Sequence, residues 1–505
     1  MHVLLASLPI GSVIAAMAIF RWRAASAGVL GLAMALLLAI TTFGLGTDVH
    51  AELGPGLAMG GALTEALFVT TTILWIIFPA LCLYEMQARS GAFKIIRGSL
   101  SRLSDDPRIL ALLVAWFFGL FMEGVAGFGT PVVLVAPILV GLGFAPVQAV
   151  VLALIGHAAG VSFGAVGTPI LPQMAASGLS GLELGRQAAL LHTLLGGVLV
   201  TVLFLMASSK RPRLCDSQWP ALATLLFFTP FLTLAWWVGP ELPTVGGAII
   251  GGSLFAFIVK RHGAGSDHPG PTVGEVTQAA LPYLVLLVLV LVTRLMPPVR
   301  ETLRGVEIEW SLFGVFFGRV EPLYHPGTLL LLGFLLGGLA QGRSPAELVS
   351  AMAGAARRLG PVALALAAML GLSRVLVHSG MIETLAQAAA ASGGLWPFIS
   401  PFIGVLGTFV TGSATSSNIL FSDFQRAAAT ALSLPAAVLH GAQGFGAAIG
   451  NIVCPHNIIA GAATVGLAAG REGEVMRTTV IVCIIYAAGG GIVTYLMARG
   501  GAAAS

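Results

Sequence analysis

The segment Glu123-Gly124-Val125-Ala126-Gly127-Phe128-Gly129-Thr130-Pro131 is a glycine-broken, acid-bearing stretch between two apolar arms, each too short to cross a bilayer. A register shift of 288 residues places Thr411-Gly412-Ser413-Ala414-Thr415-Ser416-Ser417-Asn418 over it, and Pro146 then falls one residue from Pro435. The two copies share little identity, but the order of features recurs. Each has an apolar arm, a small-residue break, a second apolar arm and a long helix interrupted by Gly and Pro. The pattern predicts two copies of one helical unit.

Composition places the chain in a membrane. Of its 505 residues, 57% are apolar and only 9% are charged, and 65 are glycine, which excludes a soluble protein and indicates a multi-span one. The first apolar run, from Val3 to Phe20, is followed by Arg21-Trp22-Arg23 and not by a small-residue cleavage site, so we expect a retained span. The four cysteines are far apart and have no metal-ligand spacing.

The predicted fold is an all-α polytopic membrane protein with about 12 spans, since one span needs about 20 apolar residues. It adds two re-entrant hairpins, at 109–145 and 395–432, and two broken helices, at 147–175 with a break at 160–169 and at 434–469 with a break at 444–457. We divide the chain into N-terminal spans (1–61), a first repeat (62–210), scaffold spans with an external loop (211–342) and a second, inverted repeat (343–505). The remaining spans are predicted at 3–20, 26–46, 62–85, 185–208, 219–238, 243–259, 276–296, 327–341, 361–380 and 478–498.

Basic residues predict the orientation, because cytoplasmic loops carry an excess of Lys and Arg. This rule places Asp105 and Arg357 in the cytoplasm and Glu309 outside. The first hairpin then enters from the cytoplasm and the second from outside. The cytoplasmic loops contain Arg21, Arg23, Lys94, Arg97, Arg102, Arg108, Lys210, Arg211, Arg213, Lys260, Arg261, Arg358, Arg471 and Arg477.

Inverted repeats whose broken helices meet near the midplane are typical of secondary transporters. A break exposes backbone N–H and C=O groups at a cost of several kcal/mol each unless protein or a water-filled cavity satisfies them. Helix N-termini at such breaks favour an anionic substrate. The competing explanation is close helix packing, which Gly and other small residues also allow, and for any single Gly packing comes first. Three adjacent polar residues, Ser416-Ser417-Asn418, favour a site.

Ionisable residues at membrane depth are candidates for function. Glu123 is the predicted proton carrier, although it could instead only cap backbone N–H groups of the hairpin. His157 and His456 could relay a proton or donate to a carboxylate, or serve as structural donors. Asp423 and Arg426 are three apart on one helix face and are expected to neutralise each other. Arg374 lies near the external end of its span, where it could bind a carboxylate or extend to the interface; neither is favoured.

These segments resemble the lactate permeases, bacterial proton-coupled transporters of lactate and glycolate. The matching residues are the 123–131 segment, Gly141-Leu142-Gly143-Phe144, Phe163-Gly164-Ala165 with Gly167 and Pro169-Ile170, and Thr415-Ser416-Ser417-Asn418. The resemblance implies symport of short monocarboxylates such as L-lactate, D-lactate or glycolate with a proton across the bacterial inner membrane, without a cofactor. The chain departs from the family pattern in three places. It has Ala414 in place of Asp, Asn451 in place of Lys, and Cys454-Pro455-His456-Asn457 in place of Ser-Pro-Gln-Ser.

The predicted partners are therefore a lactate-like organic anion, a proton and the lipid bilayer; nothing suggests nucleic acid, and the oligomeric state is open. A transporter of the same fold for another organic anion, or one coupled to Na⁺, is the alternative. An enzyme would need a nucleophile–base pair or a metal cluster, and a channel would more naturally use rings from oligomer symmetry. The proton-coupling residues are Glu123 and His157. The predicted substrate-binding residues are Gly127, Gly129, Thr130, Gly167, Thr168, Thr415, Ser416, Ser417, Asn418, Asn451 and His456.

Overall fold

The computed structural model describes residues 1–20, 22–100, 102–127, 129–208, 214–262, 271–468 and 471–502, which are almost entirely helical. Some residues used above lie outside these ranges, namely the topology markers Arg21, Lys210, Arg211 and Arg213 and the hairpin residue Phe128. Within these ranges, eleven helices are long and apolar enough to cross a membrane, or up to 12 if the bent pair in the second half is one span. The prediction of an all-α polytopic fold with about 12 spans is confirmed.

The first half of the chain contains the first hairpin and the first broken helix. A π-helical turn, Leu112–Phe118, joins two short helices, so Pro107–Val125 is one continuous helix. A 3-10 turn, Ala158–Phe163, follows the helix that ends at His157. The helices are α1 (His2–Ala18), α2 (Ala24–Thr41), α3 (Gly54–Arg89), α4 (Ala92–Leu100), α5 (Pro107–Ala111), α6 (Gly119–Val125), α7 (Thr130–Gly141), α8 (Pro146–His157), the irregular turn α9 (Gly164–Gly167), α10 (Ile170–Ser177) and α11 (Gly181–Met206).

The second half begins with scaffold helices and ends with the second hairpin and broken helix. Its helices are α12 (Gln218–Trp237), α13 (Pro243–Gly246), which continues through a π turn into α14 (Gly252–Arg261), α15 (Val273–Leu295), α16 (Pro297–Arg304), α17 (Pro326–Ala340), α18 (Pro345–His378), α19 (Met381–Ala390), α20 (Trp396–Thr411), α21 (Ala414–Ala431), α22 (Ala436–Gly450), α23 (Pro455–Thr464) and α24 (Glu472–Ala502). The strands β1 (Ile308–Leu312) and β2 (Phe316–Val320) form an antiparallel hairpin in the predicted external loop.

Two predictions about element length are wrong. The first arms of both hairpins are not too short to cross a bilayer, because Pro107–Val125 and Gly393–Thr411 each have 19 residues and pass the test for a span. The segment ending at Arg357-Arg358 and the predicted span at 361–380 are one 34-residue helix, α18, which continues through Pro361. A proline removes one helical hydrogen bond, but neighbouring helices make this tolerable in a membrane protein. The entry of both hairpins from opposite sides stays a prediction.

The two hairpins differ at their tips, so a single register shift does not align them throughout. The first tip has four residues, 126–129, and two of them, Gly127 and Gly129, have positive φ angles of 55° and 77°. The second tip has only Gly412, at φ 75°, and Ser413. Glycine takes this left-handed conformation at little cost, which explains its place in both tips.

Two apolar cores meet around the candidate site. One is built mainly from the first hairpin, the first broken helix, α11–α15 and α22–α24. The other joins α1, α2 and α3 to α18, α19 and α21. Both broken helices contribute to the first core at their breaks, through Phe163, Val166, Ile452 and Val453, so the fold brings the irregular backbone of both halves together.

Candidate functional site

A cavity of about 340 Å³ lies among the four breaks. Both hairpin tips and both broken helices contribute to it, together with the start of α2 and the middle of α18. Non-helical backbone at membrane depth is tolerated where it lines such a cavity. The residues around it are Arg23, Ala24, Ala25, Ile77, Glu123, Gly127, Val161, Gly164, Ala165, Thr168, Pro169, Pro361, Val362, Ala365, Leu366, Thr411, Gly412, Ser413, Ala414, Thr415, Ser416, Asn451, His456 and Asn457.

The first break is a left-handed turn. Ala165, Val166 and Gly167 have φ angles of 43°, 55° and 82°, and the first two are residues that rarely adopt this conformation. A non-Gly residue held there costs on the order of 1–3 kcal/mol, so the surrounding packing must fix it. Gly164 precedes the turn, and a Cβ atom there would overlap Oε1 of Glu123. The break is thus shaped to bring backbone against this carboxyl group.

Glu123 ends the first arm of the first hairpin and is 3% exposed. Its Oε2 atom is buried without a hydrogen-bond partner, and the described residues provide no ion pair to its carboxyl group. The alternative role that the sequence left open, capping of hairpin N–H groups, finds no hydrogen bond in the described part of the chain. Glu123 is therefore a buried acid at the cavity wall with no cationic partner there.

A polar chain that includes two residues of the cavity wall, Asn451 and Asn457, joins the two broken helices. His157 Nδ1 lies 2.7 Å from the carbonyl oxygen of Ala153, and its Nε2 lies 3.2 Å from the side chain of Asn451. Asn457 lies 2.8 Å from the same Asn451 oxygen. Since Nδ1 faces a carbonyl it must carry a proton, so a neutral His157 needs the Asn451 amide turned to donate to Nε2. Protonated His157 instead needs the amide oxygen there, so the orientation of this amide depends on the protonation of His157.

The second hairpin tip presents one face of α21 to the cavity and buries the other. The hydroxyl of Ser413 accepts from the backbone N–H of Ser416 at 3.3 Å and caps the helix. The Ser417 hydroxyl points away, where it donates to the Gly404 carbonyl at 2.9 Å and accepts from the Gln443 amide at 3.2 Å. Asn418 donates to the Pro169 carbonyl at 2.8 Å. This last bond links the two halves of the chain.

The structure brings some of the predicted site residues to the cavity and places the others behind it. Those at the cavity are Glu123, Gly127, Thr168, Thr415, Ser416, Asn451 and His456. Those behind it are Gly129, Thr130, His157, Gly167, Ser417 and Asn418. Gly129 lies against the Asn457 side chain, and Gly167 lies against the Pro240 carbonyl. The Thr130 hydroxyl donates to the Gly127 carbonyl.

Sequence reasoning missed three contributors to the cavity. Asn457 was considered only as a residue of the second break, although an amide beside the N-terminus of a helix can hydrogen-bond a substrate. The segment Pro361–Leu366 was interpreted as plain span, and its only signal was a proline inside an apolar run. Arg23 was treated only as a topology marker. It is exposed, and it is the one described Lys or Arg residue that lines the cavity.

The expected Asp423–Arg426 pair is not the main contact of Asp423. Asp423 forms an ion pair with Arg374 and accepts a hydrogen bond from the Ser373 hydroxyl at 2.7 Å, while Arg426 Nε is 3.9 Å away. Arg374 also pairs with Glu65 at 3.4 Å. Arg374 is therefore buried between two carboxylates and does not extend to the membrane interface.

Comparison with known proteins gives consistent results. A family profile described as L-lactate permease matches residues 2–499. An L-lactate permease of Streptococcus iniae is 33% identical over 85% of this chain and 91% of its own length. The glycolate permease GlcA of Escherichia coli strain K12 is 31% identical over 98% of this chain and 95% of its own.

Two solved structures share the fold at low sequence identity. The Alcanivorax borkumensis YdaH transporter has a TM-score of 0.55 at 15% identity, covering 94% of this chain and 98% of that one. MtrF of Neisseria gonorrhoeae, described with a class of antimetabolite efflux pumps, has a TM-score of 0.52 at 14% identity and covers 94% of both chains. With the family profile matching almost the whole length and about 11 membrane-spanning helices, this chain belongs to the L-lactate permease family of multi-pass inner-membrane proteins.

Proposed function

We propose that this protein carries short 2-hydroxymonocarboxylates, such as lactate and glycolate, across the membrane together with one proton, and that the cavity is the transport site. The names of its relatives support the substrate class, since they are called lactate and glycolate permeases. The single observation that carries the coupling is the carboxyl group of Glu123, which is buried at the cavity wall and has no hydrogen-bond or ion-pair partner among the described residues.

The cavity suits a small hydroxy acid. Its polar groups are mainly hydroxyls and amides, supplied by Thr411, Thr415, Ser416, Asn451 and Asn457. Such groups can bind both the carboxylate and the hydroxyl of the substrate. The N-terminus of α21 adds a positive dipole beside them. Arg23 is the described cation at this cavity, and it can attract an anion without binding it deeply, because it is exposed.

One carboxyl group among the described lining residues gives a simple coupling scheme. A buried carboxylate without a cationic partner is costly, and the cost grows when an anionic substrate enters the same cavity. A proton on Glu123 removes both penalties. Proton binding and substrate binding therefore favour each other, which is the thermodynamic requirement for symport. The His157–Asn451–Asn457 chain lies next to this cavity and is the second candidate for handling the proton.

One observation favours this scheme over a carrier of dicarboxylates. A dicarboxylate would bring a second negative charge to a wall that already has an acid, with only the exposed Arg23 to balance it among the described residues. Backbone carbonyls at a helix break can bind Na⁺, so the choice between Na⁺ and a proton is made by experiment.

Uptake by proteoliposomes containing the purified protein tests the proposal. We expect lactate and glycolate to accumulate when a proton gradient, inside alkaline, is imposed, and not when a Na⁺ gradient replaces it. A dicarboxylate and a sulfonate serve as comparison anions. Accumulation driven only by Na⁺, or a preference for either comparison anion, would contradict the coupling or the substrate class respectively.

A further inference from the structure

We propose that the ion pair between Arg374 of α18 and Asp423 of α21 is a reversible contact that closes the cavity on the predicted external side. The proposal uses the proposed function only in treating the cavity as the transport site. The pair is buried, with 10% of the Arg374 side chain and 2% of the Asp423 side chain exposed. It joins α18, the first helix of the predicted second repeat, to the second arm of the second hairpin.

The position of the pair along its helices supports this role. On α18, Arg374 is eight residues beyond Leu366 of the cavity wall, about 12 Å at 1.5 Å per residue. On α21, Asp423 is seven residues beyond Ser416, about 10 Å. Both displacements are toward the ends predicted to be external. Glu65, the other partner of Arg374, is displaced from Ile77 of the cavity wall toward the same side.

The cavity wall also extends toward the opposite side. Its lining includes the exposed Arg23 and the segment Pro361–Leu366, which begins three residues after Arg358. Both Arg23 and Arg358 are predicted to be cytoplasmic. The structure therefore corresponds to a state whose cavity faces the cytoplasm, with the charged layer around Arg374 on the closed side.

Each member of the pair has a second partner on its own side of the contact. Arg374 is paired with Glu65 of α3, and α3 is held to α18 at its other end by Glu85 and Arg358, 2.8 Å apart. Asp423 has Arg426 one turn away on α21, with 3.9 Å between the nearest atoms. When α21 separates from α18, Arg374 keeps Glu65 and Asp423 can turn to Arg426. No buried charge is left alone in either state, which is the condition for a charge pair to open at low cost.

The unsatisfied atoms of the closed state agree with this exchange. Asp423 Oδ1 and Arg426 Nε are both buried without a hydrogen bond among the described residues. They are the two atoms that would meet if Asp423 were released from Arg374. Ser373 donates to the Oδ2 atom that Arg374 binds, so it supports the closed arrangement.

Cysteine accessibility tests the contact without using any substrate. The four native cysteines are replaced by serine, Ser416→Cys is introduced at the cavity wall, and an impermeant thiol reagent is applied to intact cells. Asp423→Asn should give a several-fold higher labelling rate from outside, because the closed state loses its ion pair. Arg426→Gln should lower that rate, because Asp423 then has no second partner and stays with Arg374.

The controls separate a gate from a general loss of structure. Glu85→Gln removes a carboxylate from α3 at the other end and should not raise labelling from outside. Ser373→Ala is a milder variant, expected to raise labelling less than Asp423→Asn, and it serves if the latter does not fold. External labelling that is unchanged by Asp423→Asn or Ser373→Ala, or that changes in the same direction with Arg426→Gln, would overturn the proposal. Because lactate is absent from the assay, failure of the substrate assignment would not affect this result.

Discussion

Replacing Glu123 with glutamine separates proton coupling from substrate binding. Glutamine has nearly the same shape as a protonated glutamate but cannot release a proton. One carboxyl group is found in the described cavity wall, so the proposed coupling scheme moves one proton with each substrate anion. One pH unit is worth about 1.4 kcal/mol, which at this stoichiometry supports about tenfold accumulation. We expect the native protein to approach tenfold accumulation and the Glu123→Gln variant to show no accumulation.

Exchange measured in the same vesicles is the internal control. Internal and external substrate can exchange without release of the proton, so the glutamine variant should retain part of the native exchange rate. Retained exchange shows that the variant is folded and still binds substrate. Normal uphill accumulation by Glu123→Gln would refute the assignment and transfer the proton to His157 or His456. Loss of both activities, with a lowered melting temperature, would indicate a structural role.

Three further predictions concern the site, the packing and the topology. Ser416→Ala should raise the KM for lactate without changing thermal stability, whereas Ser417→Ala should lower stability by about 0.5–1.5 kcal/mol through lost buried hydrogen bonds and change KM less. Transport assays and melting curves on both variants test this contrast, and the reverse pattern would exchange their roles. Gly446→Ala would place a methyl group into a backbone carbonyl of the neighbouring helix, so we expect a destabilisation of about 1–3 kcal/mol in detergent melting curves, and native stability would contradict the packing. Cysteines at Asp105 and Glu309 should be labelled in intact cells only at position 309, and labelling of position 105 would overturn the inverted-repeat topology.

The breaks and hairpins could be predicted because glycine and proline limit the backbone directly. Gly127, Gly129 and Gly412 all have the positive φ angles that a tight tip requires, and the Gly164–Gly167 turn lies inside the predicted first break. The second break was predicted over 444–457, but α22 stays helical to Gly450 and only the later part is irregular. Small residues alone do not distinguish a break from close packing, and here the first part of the stretch packs against α20.

Side-chain direction could not be predicted. Ser416 and Ser417 are adjacent and chemically identical, yet successive residues on a helix point about 100° apart, and here only Ser416 of the two lines the cavity. The sequence gives no information on which one does. The Arg374–Asp423 pair was missed for a related reason. In the sequence, Arg426 is the nearest opposite charge to Asp423, three residues away on the same helix. Arg374 is 49 positions away, and only the packing of α18 against α21 brings it into contact with Asp423.

The length of α3 and α18 has a consequence for the lipid environment. They have 36 and 34 residues, about 54 and 51 Å, against about 30 Å of hydrocarbon in a typical bilayer. Helices of this length must tilt or extend through the headgroup region. Because ion pairs join α3 and α18 at two levels, Glu65 to Arg374 and Glu85 to Arg358, the two should change tilt together when membrane thickness changes. Bilayer thickness is thereby linked to the angle of a helix pair that forms part of the cavity wall.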